Sequence, residues 1–412
     1  MAEFGPPKGS KDNPAQLGPY PKGMNNVQPR HSLPDGYARD IVNADVSDGG
    51  YLRLRGGFSR EVVGSNITAA WAYGDDIYFV DSGTLYKAVP NSSGALTVSV
   101  VPNNAGALLA RGAAFVEVAG TPVLGDSFSL FSIDQDGLER FTNDAPGIAS
   151  VSAAAGSQAF LVAVTGALPA SETQPSRIER VVGDFPITVT PGDYDYPVNV
   201  YISKPDGAML YWRGQGNGTV TVNASDVAGR PLHTEHTIPT PAGSVMRYAF
   251  GRLFSVVGST VFYSLPHYPS VCSAIGGFLP FPQDVTVFEP IDVGFVVATT
   301  GEIGVITGGS PDAWEYRARA SYGAVPGTAY VYKDGTVFMD TTHGKASVSK
   351  VGEFQNLTDG RVAIDLATAG ATGLVRDDGM DRLVTAMTNA EVSRASAATF
   401  IEFEVIRKGV VV

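Results

Sequence analysis

The residues of this chain that could ligate a metal are few and widely spaced. Its five histidines are His31, His233, His236, His267 and His343. His233 and His236 stand three residues apart, but a zinc site needs further protein ligands, and no spacing supplies a third one. We therefore expect these two histidines to lie in an exposed linker.

The chain has one cysteine, Cys272, which excludes an intramolecular disulfide. A nucleophilic thiol needs a neighbouring base, and no histidine or aspartate stands at a suggestive spacing from Cys272. Residues 268–276 around it contain Pro, Ser and Gly and indicate a loop. The sequence therefore predicts a small, buried or half-buried thiol in that loop.

Two acidic segments have a composition that also occurs in binding sites. Asp134, Asp136 and Gly137 begin like a calcium loop, but no acidic residue closes the loop at the needed distance. Residues 132–141 around them faintly resemble the Asp-box of sialidase propellers, which is a structural turn, so we expect a hairpin. Residues 193–196, Asp-Tyr-Asp-Tyr, could hold a carbohydrate or a partner through their tyrosines, although such segments are more often solvated loops.

No glycine-rich phosphate loop, nucleophile elbow, metal cluster or catalytic dyad stands out in the chain. We therefore expect a non-enzymatic protein with no catalytic residues, no cofactor and no metal.

Composition favours many short strands joined by turns. The 412 residues include 48 Gly and 27 Pro, and only 17% are charged. Disorder would need higher charge and lower hydrophobicity. The net charge of −12 argues against binding the phosphate backbone of DNA, which needs clustered Lys and Arg. We also expect no membrane insertion, because no signal-peptide core or membrane-spanning apolar run is visible.

The strongest pattern in the chain is a tight β-meander at residues 245–264. It has three short runs of β-branched and aromatic residues, divided by Gly251-Arg252 and Gly258-Ser259. Glycine-led pairs permit the positive φ angles of two-residue hairpin turns. Similar hairpins recur at residues 77–87, 128–141, 294–306 and 330–339. A succession of such meanders is typical of β-propeller blades.

The rhythm of these hairpins predicts four regions in an all-β chain. Residues 1–60 contain no blade repeat and are expected to form an extended N-terminal strap. Residues 61–147 hold the first propeller blades, and residues 241–412 hold the remaining ones. Residues 148–240 break the rhythm with about six short strands, the size of an immunoglobulin- or fibronectin-like β-sandwich. At about 40–50 residues per blade, the propeller has room for roughly five to seven blades.

A series of short motifs adds a resemblance to a known family. Residues 23–58 carry Gly-Met-Asn, Leu-Pro and Gly-x-Leu-x-x-Arg-Gly in order. Residues 249–254 (Ala-Phe-Gly-Arg-Leu-Phe) and 261–264 (Val-Phe-Tyr-Ser) follow, and then residues 278–281, 292–295 and 322–326. The series resembles phage tail β-propeller proteins, the nozzle or tail-tubular proteins of short-tailed phages. One departure is Arg55-Gly56-Gly57, where the family pattern has Arg-Pro-Gly, and glycine still permits the turn.

The resemblance implies a structural function. Such a protein is expected to form a ring, a homohexamer, around the tail axis of the virion after synthesis in the host cytoplasm. It would retain packaged DNA and conduct it at ejection without binding it tightly. Its expected partners are the head-to-tail adaptor and the tail fibre or tip proteins. The N-terminal tail, with Lys8, Lys11 and Lys22, could thread onto a neighbouring acidic subunit.

Two other interpretations remain open at this point. One is a glycan-binding or glycan-hydrolysing β-propeller that acts in receptor recognition. A hydrolase would need two carboxylates at a suitable separation in a central pocket, and the acidic residues here are scattered. The other is a receptor-binding tail component.

Overall fold

The computed structural model describes most of the chain as β-structure. The described residues are 62–405, except for 63, 93–94, 128, 143, 169–170, 224–228, 359–361, 363–366, 378–379 and 389–398, together with residues 28, 32–35, 37–38, 44–46 and 52–54. Strands are joined by turns and by short 3-10 segments at Leu109–Arg111 and Pro311–Ala313. The predicted all-β class is confirmed. Among the described residues there is no helix that is long and apolar enough to cross a membrane.

The chain divides into two compact units. One comprises residues 61–288, and the other comprises residues 1–60 with 289–412. The predicted motif residues 23–26, the lysines Lys8, Lys11 and Lys22, and His31 lie outside the described residues. Within the predicted strap, β1 (Ala44–Val46) and β2 (Leu52–Leu54) form an antiparallel pair.

Residues 61–288 contain three sheets of blade type. The first is β3 (Ile67–Tyr73), β4 (Asp76–Asp81), β5 (Thr84–Pro90) and β6 (Leu96–Val100), and the second is β7 (Ala114–Val118), β8 (Thr121–Gly125), β9 (Leu130–Ile133) and β10 (Leu138–Arg140). Both are four-stranded antiparallel meanders. After an insertion at residues 148–222, the third sheet comprises β17 (Thr237–Pro239), β18 (Val245–Ala249), β19 (Arg252–Val257), β20 (Thr260–Leu265), β21 (Tyr268–Ser273) and β22 (Phe278–Pro280).

These three sheets pack in the order expected of neighbouring blades. Leu85 of the first sheet and Phe131 of the second share one buried cluster. Val123 of the second sheet shares another with Met246 and Leu253 of the third. Residues 148–222 therefore interrupt the sequence between two blade sheets that are in contact.

The inserted module is one curled six-stranded sheet. Its strands are β11 (Ile148–Leu168), β12 (Ser171–Glu172), β13 (Glu179–Pro191), β14 (Val198–Ser203), β15 (Leu210–Gly216) and β16 (Val220–Val222). The strands of the predicted β-sandwich form one continuous sheet, in which β11 pairs with β13 from Ile148 to Val162 and with β14 from Val162 to Gly166. The sheet encloses one core that includes Phe160, Ile187 and Val200.

The remaining strands continue the blade pattern. A fourth sheet contains β23 (Val285–Ile291), β24 (Gly294–Thr299), β25 (Ile303–Thr307) and β26 (Glu315–Ala320), and a fifth contains β27 (Tyr330–Val331), β28 (Val337–Thr341), β29 (Gly344–Val348) and β30 (Phe354–Asn356). A sixth contains β31 (Ala369–Asp377), β32 (Met380–Thr388) and β33 (Thr399–Val405). In this last sheet, β33 pairs with β32.

Glycine residues form the turns of the predicted meander. Residues 245–264 fold as β18, β19 and β20, as predicted. Phe250 and Gly251 have φ angles of 51° and 71°, and Gly258 has a φ of 57°. These left-handed values suit tight hairpin turns whose twist matches that of the strands.

Candidate functional site

Most residues that the sequence singled out have structural roles. His233 and His236 are exposed, as predicted for a linker. Asp134 accepts backbone N–H groups from Asp136 and Gly137, each at 2.8 Å, and closes the β9–β10 hairpin. The predicted structural hairpin is therefore confirmed. Among the residues that the structure describes, no group of three His, Cys, Asp or Glu could hold a metal ion.

Cys272 is buried, as predicted, but it lies in strand β21 and not in a loop. Its cross-strand neighbours are Ile238 and Ser264. Burial raises the pKa of the thiol to about 11, so the thiol stays protonated at neutral pH and is a poor nucleophile.

The tyrosines of residues 193–196 are partly buried. Tyr194 and Tyr196 pack edge to face with ring centroids 6.1 Å apart, and the Tyr194 hydroxyl closely approaches Gly166 of β11. Burial raises the pKa of Tyr194 to about 12. The two aspartates of this segment, Asp193 and Asp195, are exposed. These tyrosines therefore support the sheet and offer less surface to a ligand than the sequence suggested.

A different constellation forms on the outer face of the inserted module. Strand alternation sends Val200 and Ile202 into the module core, while Asn199 and Tyr201 lie on the opposite face. Asn199 is in register with Thr165 on one side and with Gln215 on the other. The three strands β11, β14 and β15 thus bring polar side chains side by side.

Glu172 lies at the centre of this face and is only 3% exposed. Its Oε1 accepts hydrogen bonds from Thr165, from Asn199 Nδ2 at 3.0 Å and from the Tyr201 hydroxyl at 2.7 Å. Its Oε2 accepts one from Arg230 Nη2 at 3.1 Å. Burial and the adjacent Glu172 charge raise the pKa of Tyr201, so Tyr201 remains a donor. These donors satisfy the hydrogen-bonding capacity of the buried carboxylate.

The backbone fixes both sides of this network. Arg230 is held beside β15 because its carbonyl accepts the Trp212 N–H at 2.9 Å and the next residue, Pro231, bridges to Tyr211. On the other side, Ser270 Oγ of β21 lies 2.8 Å from the Glu172 carbonyl oxygen. The module and the third blade sheet therefore position Glu172 together.

An open depression of about 550 Å³ lies over this network. Its lining includes Leu168, Ser171, Asn199, Trp212, Gln215 and Arg230. Trp212 is half-buried, and its Nε1 donates to Asn199 Oδ1 at 3.2 Å. Gln215 and Arg230 are exposed at the rim. The Glu172 oxygens all accept hydrogen bonds within the network, so the arrangement is suited to holding a polar ligand rather than to accepting a proton from one.

Sequence reasoning did not identify this site. Arg230 is 58 residues from Glu172 along the chain, and no local motif links them. One signal was present: Asn199 and Tyr201 alternate with valine and isoleucine in a strand that is otherwise apolar. A buried amide in such a strand needs polar partners, which the folded sheet supplies.

Comparisons with known proteins give structural likeness only. No family model and no curated protein matches the chain. Among solved structures, streptogramin B lyase is similar over 79% of this chain and 92% of its own, with 11% identity and a TM-score of 0.35. Kluyveromyces lactis Hsv2 is similar over 82% of this chain and 98% of its own, with 9% identity and a TM-score of 0.32. Likeness at this level does not identify an activity.

Proposed function

We propose that this protein is a structural component of the tail of a short-tailed phage, a nozzle-type ring protein. It surrounds the axial channel as a homohexamer, retains packaged DNA and conducts it at ejection. It contacts the head-to-tail adaptor above and fibre or tip proteins below. It reaches the virion after synthesis in the host cytoplasm.

The proposal is supported by the positions of the family-like motifs in the structure. Residues 249–254 and 261–264 build the meander of the third sheet, and residues 292–295 form the turn before β24 and its first two residues. Gly251 and Gly294, inside these motifs, have positive φ angles of 71° and 146°. The motifs are thus turn and strand residues of successive blade sheets, which supports a resemblance in architecture rather than in a catalytic site.

The charge of the chain is consistent with this function. It has 29 basic against 41 acidic residues, and DNA that must slide through a channel is retarded by every tight phosphate contact. A wall that is neutral or acidic avoids such contacts.

Mass photometry of the purified protein tests the proposal. We expect particles near six times the 43.1 kDa mass of the chain. A glycan-hydrolysing propeller is the alternative, and a screen against polysaccharide substrates separates the two. A monomer that releases sugars would overturn the proposed function.

A further inference from the structure

We propose that the depression on the outer face of the inserted module binds an acidic saccharide, a pyranose that carries a carboxylate. The site is formed by side chains of the module and by Arg230, which follows the module in the chain, and it does not depend on ring assembly. The proposal therefore stands apart from the proposed tail function.

An arginine at the rim of the depression can bind an anionic group. Among the side chains described as its lining, Arg230 is the charged one, and its side chain is 51% exposed. A guanidinium carries five N–H donors, and the ion pair with Glu172 engages Nη2. The guanidinium has further N–H donors, and its planar geometry suits a carboxylate.

Glu172 orients this arginine without competing for the ligand. Its carboxylate lies below the surface, with 4% of its side chain exposed, and both oxygens accept hydrogen bonds within the network. The salt bridge thus fixes the direction of the Arg230 side chain before a ligand arrives. Such preorganisation lowers the entropic cost of binding.

The neutral lining suits a sugar ring. The hydrogen bond from Trp212 Nε1 to Asn199 fixes the orientation of the indole, which offers an apolar surface to the C–H groups of a pyranose. Gln215 presents an exposed amide on the same depression, and this amide can bond to sugar hydroxyls. An apolar surface with a few placed polar groups is typical of small-molecule sites.

Titration of the full-length protein with defined oligosaccharides tests the proposal. The acidic probes are sialyllactose and digalacturonate, and the neutral counterparts are lactose and digalactose, each followed by calorimetry and saturation-transfer NMR. We expect at least one acidic probe to bind roughly tenfold or more tightly than its neutral counterpart, since a charge-assisted hydrogen bond contributes about that factor. Equal binding of both classes, or no binding of either acidic probe, would refute the proposal.

Three variants locate the site. Arg230→Gln should weaken binding of the acidic probe roughly tenfold, and Gln215→Ala should weaken it severalfold without touching the pair that Arg230 forms with Glu172. Arg180→Gln is the matched control, because Arg180 is an exposed arginine on β13 outside the depression, and it should bind like wild type. If Gln215→Ala, folded as judged by circular dichroism, binds unchanged and Arg180→Gln loses binding, the site is wrong.

Discussion

Lys345 and Asp340 form an ion pair across strands β28 and β29, with Nζ and Oδ2 2.8 Å apart and both side chains 0% exposed. Thr385 Oγ1 lies 3.0 Å from Nζ and 2.8 Å from Oδ2, and so bridges the pair. Burial lowers the pKa of Lys345, and the Asp340 charge opposes that shift. The pair belongs to the unit formed by residues 1–60 and 289–412.

Removing one member of this pair should be costly. Lys345→Met leaves the Asp340 carboxylate buried without its cation, which destabilises proteins by about 3–5 kcal/mol. Asp340→Leu should lower the free energy of unfolding by a similar amount. The double variant should lower it by much less than the sum of the two single losses. Urea unfolding followed by tyrosine and tryptophan fluorescence gives the coupling energy. Additive losses would show that the two groups do not stabilise one another.

The first position of β24 requires glycine. Gly294 has a φ of 146°, and a Cβ there would overlap the carbonyl oxygen of Ile306. Gly294→Ala should therefore destabilise the protein by about 1–3 kcal/mol. Gly309→Ala is the matched control, because a Cβ at Gly309 meets no atom within 4 Å, and it should change the stability by less than about 0.5 kcal/mol. Equal melting temperatures for the two variants would contradict this account of Gly294.

Cys272 should make stability fall at alkaline pH. Its pKa is raised by burial from 9.0 to about 11, so between these values the unfolded state releases the proton while the folded state retains it. The contribution of the protonated thiol to the free energy of unfolding is present in full below pH 9.0. As the pH rises above this value, the free energy of unfolding falls by at most about 1.4 kcal/mol per pH unit. Unfolding titrations at a series of pH values give the free energy of unfolding of wild type and Cys272→Ala. The pH dependence of this free energy should differ between the two proteins only between the two pKa values of the thiol.

A labelling experiment checks the same residue independently. Cys272 is 0% exposed, so a thiol reagent should react slowly with the folded protein and rapidly in urea. Rapid labelling of the folded protein at neutral pH would contradict the burial of Cys272.

The inserted module should fold by itself. Its core, which includes Phe160, Ile187 and Val200, comes entirely from residues 148–222, and Leu232 continues the backbone pairing with Leu210. A fragment of residues 147–233 is expected to be soluble and to unfold cooperatively with a β-type circular dichroism spectrum. The same fragment with Val200→Asp is the control that should not fold. A wild-type fragment without cooperative unfolding would mean that the module depends on the blade sheets.

The turns of the fold could be predicted from sequence because glycine marks them locally. Gly251 and Gly258 divide three strands, and the structure places its hairpins there. The first half of β11 could not be predicted in this way, since residues 152–157 are mostly Ala, Ser and Gly, which have low strand propensity. Residues 152–154 pair with β13, and the pairing resumes at Gln158 after an irregularity in the register, so the segment is held in the strand from both ends.

The buried polar groups could not be predicted from the sequence, because their burial depends on residues that are distant in the chain. Asp340 and Lys345 flank a tight turn, where charged residues are normally exposed. Their burial depends on contacts with Thr385, 40 residues further along the chain from Lys345. Glu172, likewise, becomes a central residue only when β14 and Arg230 pack around it.

Electron microscopy of the purified full-length protein tests the central claim most directly. The proposed nozzle function predicts closed six-fold rings with an axial channel wide enough for a DNA duplex, lined by more Asp and Glu than Lys and Arg. It also predicts no measurable duplex binding near physiological salt, because phosphate binding needs a continuous basic track. Particles without an axial channel, or a channel lined by Arg and Lys with salt-sensitive duplex affinity, would contradict the account.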